Sequence, residues 1–194
     1  MLELLYTTAK GLLPGAMLVM TVSLVYRSWK NGISPMPSSS LVRRTVAQEV
    51  GRLGIRGTII EAGSGWGTLA FSLQRRLRGI RMIGIENSMI PLGVSRLMSA
   101  VLKRVHPEVY KDISFHYGDL YAYPYGEAAA VVCYLFPGAM KKLSGLLRDK
   151  LPPGAYVISI FFAIPGWEAQ RVITCKDIYR TKIYVYAHID EKEM

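Results

Sequence analysis

Three features of the 194-residue sequence predict an α/β domain built on a doubly wound, largely parallel sheet. Short β-branched runs alternate with segments of helical hydrophobic spacing along most of the chain. A glycine cluster separates the first such run from the helix that follows it. The last two runs stand too close together to hold a crossover helix, so they are expected to pair as an antiparallel hairpin at the sheet edge.

Composition supports a packed domain. Hydrophobic residues make up 51% and charged residues 20%, which suits a substantial core and excludes a disordered or low-complexity chain. The net charge of +10 points to an anionic partner, nucleic acid or a phospholipid surface, without choosing between them. Cys133 and Cys175 form no CxxC pair, which argues against a disulfide scaffold or zinc ribbon and suits a reducing compartment.

From Gly11 to Tyr26 no charged residue occurs, and Leu12, Leu13, Met17, Leu18, Val19, Met20, Val22, Leu24 and Val25 fill much of the run. As a helix it measures roughly 24 Å, short of a ~30 Å hydrocarbon core. Apolar character extends back through Leu4, Leu5 and Tyr6, and Lys10 can snorkel to an interface. An apolar, membrane-associated helix is therefore expected over residues 1–30, although Pro14 and Gly15 weaken it. It either spans the bilayer, lies on its surface or covers the globular domain. Arg27, Lys30, Arg43 and Arg44 follow the run, placing the rest of the chain on the cytoplasmic, or equivalent inner, face. Residues 31–40, rich in Gly, Pro and Ser, read as a linker, and residues 41–194 as the domain itself.

Within that domain, Ser38 or Ser39 can cap a helix whose Val42, Val46, Ala47 and Val50 share one face. Thr58 to Ala62 reads as the first strand, and Leu69, Ala70, Leu73 and Leu77 mark the next helix. Met82 to Glu86 and Ile113 to Tyr117 read as strands around a helix from Pro91 to Val105. Ala129 to Leu135 follows, then a helix carrying Met140, Leu143 and Leu147, then a strand from Tyr156 to Phe162. Arg171 to Cys175 and Lys182 to Ile189 form the closing hairpin.

The turn after the first strand reads Glu61-Ala62-Gly63-Ser64-Gly65-Trp66-Gly67. Thr68 stands where a dinucleotide fingerprint would need its third glycine, and no Gly-Lys-Ser/Thr follows to make a P-loop. This acidic-x-GxGxG pattern resembles motif I of the class I S-adenosylmethionine (SAM)-dependent methyltransferases. The resemblance implies a Rossmann-like seven-stranded sheet of order 3-2-1-4-5-7-6 with the last strand antiparallel, and SAM as cofactor. SAM carries an ammonium group and no phosphate, so the carboxylate of Glu61 near the turn is useful there. Glu86, ending the second strand, can accept hydrogen bonds from ribose hydroxyls, with Asn87 beside it. Asp119, followed by Leu120, resembles the family's acid beside the adenine amino group. Glu61, Gly63, Ser64, Gly65, Gly67, Glu86, Asn87, Asp119 and Leu120 form the expected cofactor-binding set.

The end of the fourth strand, at the topological switch, is expected to face the reacting methyl group. Here stand Cys133, Tyr134, Leu135, Phe136 and Pro137, with neither an Asn/Asp-Pro-Pro-Tyr/Phe signature nor a Pro-Cys nucleophile. The segments Pro35-Met36-Pro37-Ser38, Tyr134-Leu135-Phe136-Pro137, Leu151-Pro152-Pro153-Gly154 and Phe162-Ala163-Ile164-Pro165-Gly166-Trp167 resemble a group of membrane-anchored protein-lysine methyltransferases. That group is related to the enzymes modifying the ATP synthase c subunit and the adenine nucleotide translocase. Trp66 and the Pro37-Ser38 pair depart from its pattern.

The resemblance implies transfer of a methyl group to a lysine of a membrane protein. Tyr134 is the candidate for positioning the amine, with Phe136 and Trp167 as further aromatic candidates on the same side, or else Tyr134 is core and Trp167 a loop clamp. A phospholipid or lipophilic small-molecule acceptor, an RNA acceptor, and a noncatalytic SAM-binding role are the alternatives. His106, His116 and His188 share no metal-ligand spacing, so no metal is expected. The pairs Arg43-Arg44, Arg75-Arg76 and Lys141-Lys142 read as solvated helix faces rather than a nucleic-acid path.

Overall fold

The computed structural model describes residues 38–188 together with residues 14, 15, 21 and 22. The chain forms two compact units, Met1–Met36 and Pro37–Met194. In the first, Pro14, Gly15, Thr21 and Val22 are helical and exposed, while the rest of the expected apolar helix and most of the expected linker lie outside the described residues. Among the described residues, no helix is long and apolar enough to cross a membrane.

In the second unit, helix α1 (Ser40–Arg52) starts where the Ser39 hydroxyl accepts the Val42 N–H at 3.2 Å. It buries Val42, Val46, Ala47 and Val50. There follow β1 (Gly57–Ala62), α2 (Thr68–Arg76), β2 (Ile80–Glu86), α3 (Met89–Val105) and α4 (Pro107–Tyr110). The remainder comprises β3 (Ile113–Tyr117), β4 (Ala128–Cys133), α5 (Pro137–Lys150), β5 (Tyr156–Ile160), β6 (Arg171–Thr174) and β7 (Lys182–Ala187).

The strands form one seven-stranded sheet of order β3-β2-β1-β4-β5-β7-β6, the order expected. Neighbours from β3 to β5 pair in parallel, and β7 runs antiparallel to both β5 and β6. Side chains alternate between two cores, as period-two strands require. Ile59, Met82, Val132 and Ile158 pack with α1 and α2 on one face. Ile60, Ile83, Val131 and Val157 pack with Met140, Leu143 and Leu147 of α5 on the other.

Several boundaries differ from the sequence reading by one or two residues, and one short element was not expected. β4 stops at Cys133 rather than Leu135, because its central partner β1 ends at Ala62 and turns away at Gly63, whose φ is 77°. β5 stops at Ile160 because Phe161 adopts a left-handed φ of 76°, which breaks the ladder. α4 was not expected, and it is a single turn opened by Pro107. In α3 the small Ser95 and Ser99 turn inward with Leu92, while Val94, Leu97, Met98, Val101 and Val105 are exposed.

Candidate active site

The C-terminal ends of the parallel strands form one rim, and strand register sets which residues share its level. Ala62 pairs with Ile85 on one side and Cys133 on the other, and Cys133 pairs with Ser159. One residue further along, Gly63, Glu86, Tyr134 and Ile160 therefore line up across four strands.

The first half of this rim is fixed by hydrogen bonds. The Gly63 and Ser64 N–H groups both donate to the Ile85 carbonyl, at 3.0 and 2.9 Å, and the Gly67 N–H closes the turn on the Ser64 carbonyl at 2.8 Å. Glu86 bridges two loops, its carboxylate accepting the Gly65 N–H at 2.8 Å and the Ser88 N–H at 2.7 Å. Each carboxylate oxygen keeps a second lone pair for a ligand. Gly63, Gly65 and Gly67 all have positive φ, of 77°, 51° and 75°. At Gly67 a Cβ would lie 2.6 Å from the Phe115 ring, so packing requires that glycine. At Gly65 a Cβ would meet nothing within 4 Å, so the turn presents bare backbone to open space there. The Ser64 hydroxyl is buried with no hydrogen-bond partner among the described residues.

Glu61 lies beneath the first turn of α2 and accepts the Ala70 N–H at 3.1 Å. Burial pushes its carboxyl up to about 8, against the lowering effect of the Ala70 bond and with a further rise from Glu86. Asp119 is exposed just beyond β3, and one of its oxygens accepts the Tyr121 N–H at 2.9 Å. The half-buried Leu120 presents its carbonyl to the Tyr125 hydroxyl at 2.7 Å, and Asn87 accepts from the Ser88 hydroxyl at 3.3 Å.

The second half of the rim is built from rings. Tyr134, half-buried, stacks on Phe161 with centroids 6.3 Å apart and planes 23° from parallel. Phe161 in turn tilts against Phe162 at 4.9 Å. Burial raises the Tyr134 phenol, and the nearby Asp177 and Tyr179 of the β6–β7 loop raise it further. That loop is anchored by Asp177, which accepts both the N–H and the hydroxyl of Thr181, at 2.7 and 2.6 Å. Phe161, with its left-handed backbone, and Asp177 are rim residues that no sequence pattern announced.

The other two aromatic candidates pack differently: Trp167 lies away from the rim, and Phe136 stays at the end of β4 as the cap of the next helix. Trp167 packs edge-to-face on Tyr186 at 5.9 Å and against His188 at 6.0 Å. Since β7 runs antiparallel, His188 lies at the opposite edge of the sheet, bonded to Ala155 ahead of β5. The loop after Phe162 has folded back over the sheet, and Trp167 clamps it. Phe136 caps α5, its ring filling the space where a side chain on Gly138 would stand. Cys133 is fully buried, with its thiol pushed up to about 12 by burial, and serves the core. Among the described residues, no three His, Cys, Asp or Glu side chains gather as a metal site.

Residues 61–171, more than half of the chain, match the family described as ANTKMT methyltransferase domain. The chain belongs to that family. It is a SAM-dependent methyltransferase related to adenine nucleotide translocase lysine methyltransferase. No curated protein sequence matches it significantly. Among solved structures, an RNA methyltransferase from Salinibacter ruber in complex with S-adenosyl-L-homocysteine superposes with a TM-score of 0.68 at 24% identity, covering 80% of this chain and 95% of its own. A putative RNA methyltransferase from Pyrococcus horikoshii superposes at 0.57 and 16% identity, covering 77% and 83%. A putative methyltransferase from Escherichia coli gives 0.57 at 13% identity, covering 80% and 89%. These structures establish the fold. The open backbone at Gly65, the unpartnered Ser64 hydroxyl and the bridging Glu86 carboxylate are chemically suited to SAM.

Proposed function

We propose that the protein N-methylates a lysine of a membrane protein at the rim between β1 and β5. Its support is the register that sets Gly63, Glu86 and Tyr134 at one level, with the Phe161 ring stacked on Tyr134 one residue beyond β5. In this reading Gly63, Ser64, Gly65 and Gly67 receive the cofactor against bare backbone, and Glu86 with Asn87 takes the ribose hydroxyls. Asp119 and Leu120 border the adenine, and Glu61 supplies negative charge toward the cofactor ammonium.

Bound SAM supplies a methyl group on a positively charged sulfur. The acceptor lysine must arrive as a neutral amine, which from a pKa of ~10.4 costs roughly 4–5 kcal/mol at pH 7. An aromatic-lined, partly dry acceptor channel favours the neutral form and holds the nitrogen in line with the methyl group. The Tyr134 phenol, raised by burial, stays protonated at neutral pH. Tyr134 thus positions the amine by hydrogen bonding and ring contact and does not act as a base.

The same reading assigns residues 1–30 to a membrane-associated helix and 31–40 to a linker. Residues 41–194 then form the methyltransferase domain on the cytoplasmic or equivalent inner face. The test incubates purified protein and tritiated SAM with membranes from cells lacking it, followed by separation of protein, lipid and RNA. Label at lysine in one membrane-protein band supports the proposal, and label confined to lipid or RNA overturns it.

A further inference from the structure

Arg43 and Arg44 of α1 and Arg75 and Arg76 of α2 are far apart in sequence, and the fold brings them together. Arg44, Arg75 and Arg76 line an open cleft of about 740 Å³ with Ala47, Gln48 and Leu77. Arg43 stands beside them, with its guanidinium donating to the Ser38 carbonyl. Partial burial and the charges of Arg76 and Arg75 hold Arg43 below the ordinary arginine pKa. Among the described residues no carboxylate pairs with any of the four. The one acid of α1, Glu49, is held by Arg52 at 2.9 Å and Arg171 at 3.5 Å.

Helix polarity explains only half of this cluster. Arg75 and Arg76 occupy the last turn of α2, where cations complement the negative pole. Arg43 and Arg44 lie near the start of α1, whose first turn has no acid, so their charge adds to the positive pole. Three like charges thus line this open cleft and a fourth stands beside them, with no carboxylate partner for any of them among the described residues.

We propose that this cleft binds a phosphate-bearing anion, either the headgroup of an anionic phospholipid or a free phosphorylated small molecule. Guanidinium forks engage phosphate oxygens in pairs, and several forks suit a multiply charged group better than a single carboxylate. The cleft adjoins the end of α2 remote from Gly67, so it is separate from the cofactor turn and stands independently of the acceptor assignment.

The test uses the full-length protein in neutral detergent at constant ionic strength. Thermal unfolding is followed against inorganic pyrophosphate, short-chain phosphatidylglycerol and short-chain phosphatidylcholine, each lipid below its micelle concentration. The wild type should show a saturable rise in Tm with either anionic ligand and none with phosphatidylcholine. Tighter binding of phosphatidylglycerol assigns a lipid headgroup, and tighter binding of pyrophosphate assigns a free phosphorylated molecule. An Arg44→Gln/Arg75→Gln double variant should weaken apparent binding by about tenfold or more and, without anion, melt above the wild type because repulsion is relieved. SAM affinity should not change, confirming that the double variant folds. Gln48→Glu, which places a carboxylate in the cleft while keeping every arginine, should also abolish the rise. The proposal is overturned if neither anion gives a saturable rise, or if the double variant keeps it. It is equally overturned if the double variant melts lower without anion.

Discussion

Along the C-terminal rim, the half formed by β1, β2 and β3 is held by backbone N–H groups donating to carbonyls and carboxylates. The half formed by β4, β5 and the β6–β7 loop is held by stacked rings. In the first half the loop backbone is tied down by Glu86 across Gly65 and Ser88. In the second, Tyr134, Phe161 and Phe162 fit by shape, and shape can be changed by substituting neighbours. The difference matches the tasks proposed for the halves: an invariant cofactor needs fixed donors and acceptors, whereas an acceptor side chain needs a channel of particular width and dryness. Substitutions in the first half should therefore fail through stability or cofactor affinity, and those in the second through turnover.

The largest effect is expected at Gly67. Gly67→Ala forces a Cβ into a left-handed residue and 2.6 Å from the Phe115 ring. Strain and overpacking together should cost about 2–5 kcal/mol in urea denaturation. Retained stability would mean that Phe115 moves aside and that the turn is looser than its hydrogen bonds imply.

Next comes Glu86→Ala, which strands the Gly65 and Ser88 N–H groups and removes the acceptors proposed for the ribose hydroxyls. Two charged hydrogen bonds at ~1.5 kcal/mol each predict a loss in SAM affinity of about 100-fold by calorimetry. Near-native affinity would detach Glu86 from the cofactor and leave it as a loop brace.

Glu61 sharpens the comparison through pH. Its carboxyl is raised from 4.5 to about 8. The folded chain thus holds that proton longer than the unfolded chain, and stability falls as pH climbs through this window. Glu61→Gln should flatten that slope and gain about 1–3 kcal/mol at pH 8, less than the full linkage value because a buried amide needs its own partners. A cationic cofactor favours the carboxylate, so wild-type SAM affinity should rise with pH toward about 8, whereas the variant should bind weakly at every pH. An unchanged pH profile of SAM affinity in Glu61→Gln would reduce Glu61 to a cap on α2.

The two halves also differ in how much of them the sequence reveals. The glycine turn and the acids at 61, 86 and 119 sit within a few residues of strand ends, so spacing alone locates them. The sheet order follows from alternation and a short final connection. The aromatic half depends on contacts between β4, β5 and a distant loop, and on the left-handed φ of 76° at Phe161, which no periodicity signals. Trp167 reads naturally as a rim residue because it follows β5, yet its loop doubles back to Tyr186. The arginine pairs read as two solvated faces because their meeting is a product of α1 crossing α2. Local backbone chemistry is thus legible, while long-range side-chain convergence requires the fold.

The smallest effects test the second half directly. Tyr134→Phe removes one hydroxyl and leaves the ring on Phe161, so folding and SAM affinity should stay near wild type. If the hydroxyl positions the amine, kcat should fall about tenfold, the worth of one hydrogen bond made in the transition state. Trp167→Phe is its control, removing an indole N–H that is buried without a partner among the described residues. Losing an unpaired donor offsets part of the lost packing, so stability should change by less than about 1 kcal/mol and kcat not at all. Equal losses of turnover in the two variants would show that both act by holding the loop around β5, and would remove the Tyr134 hydroxyl from the chemistry. A loss confined to Tyr134→Phe would place the acceptor amine against the ring side of the rim, because Trp167 is fixed to the opposite edge of the sheet.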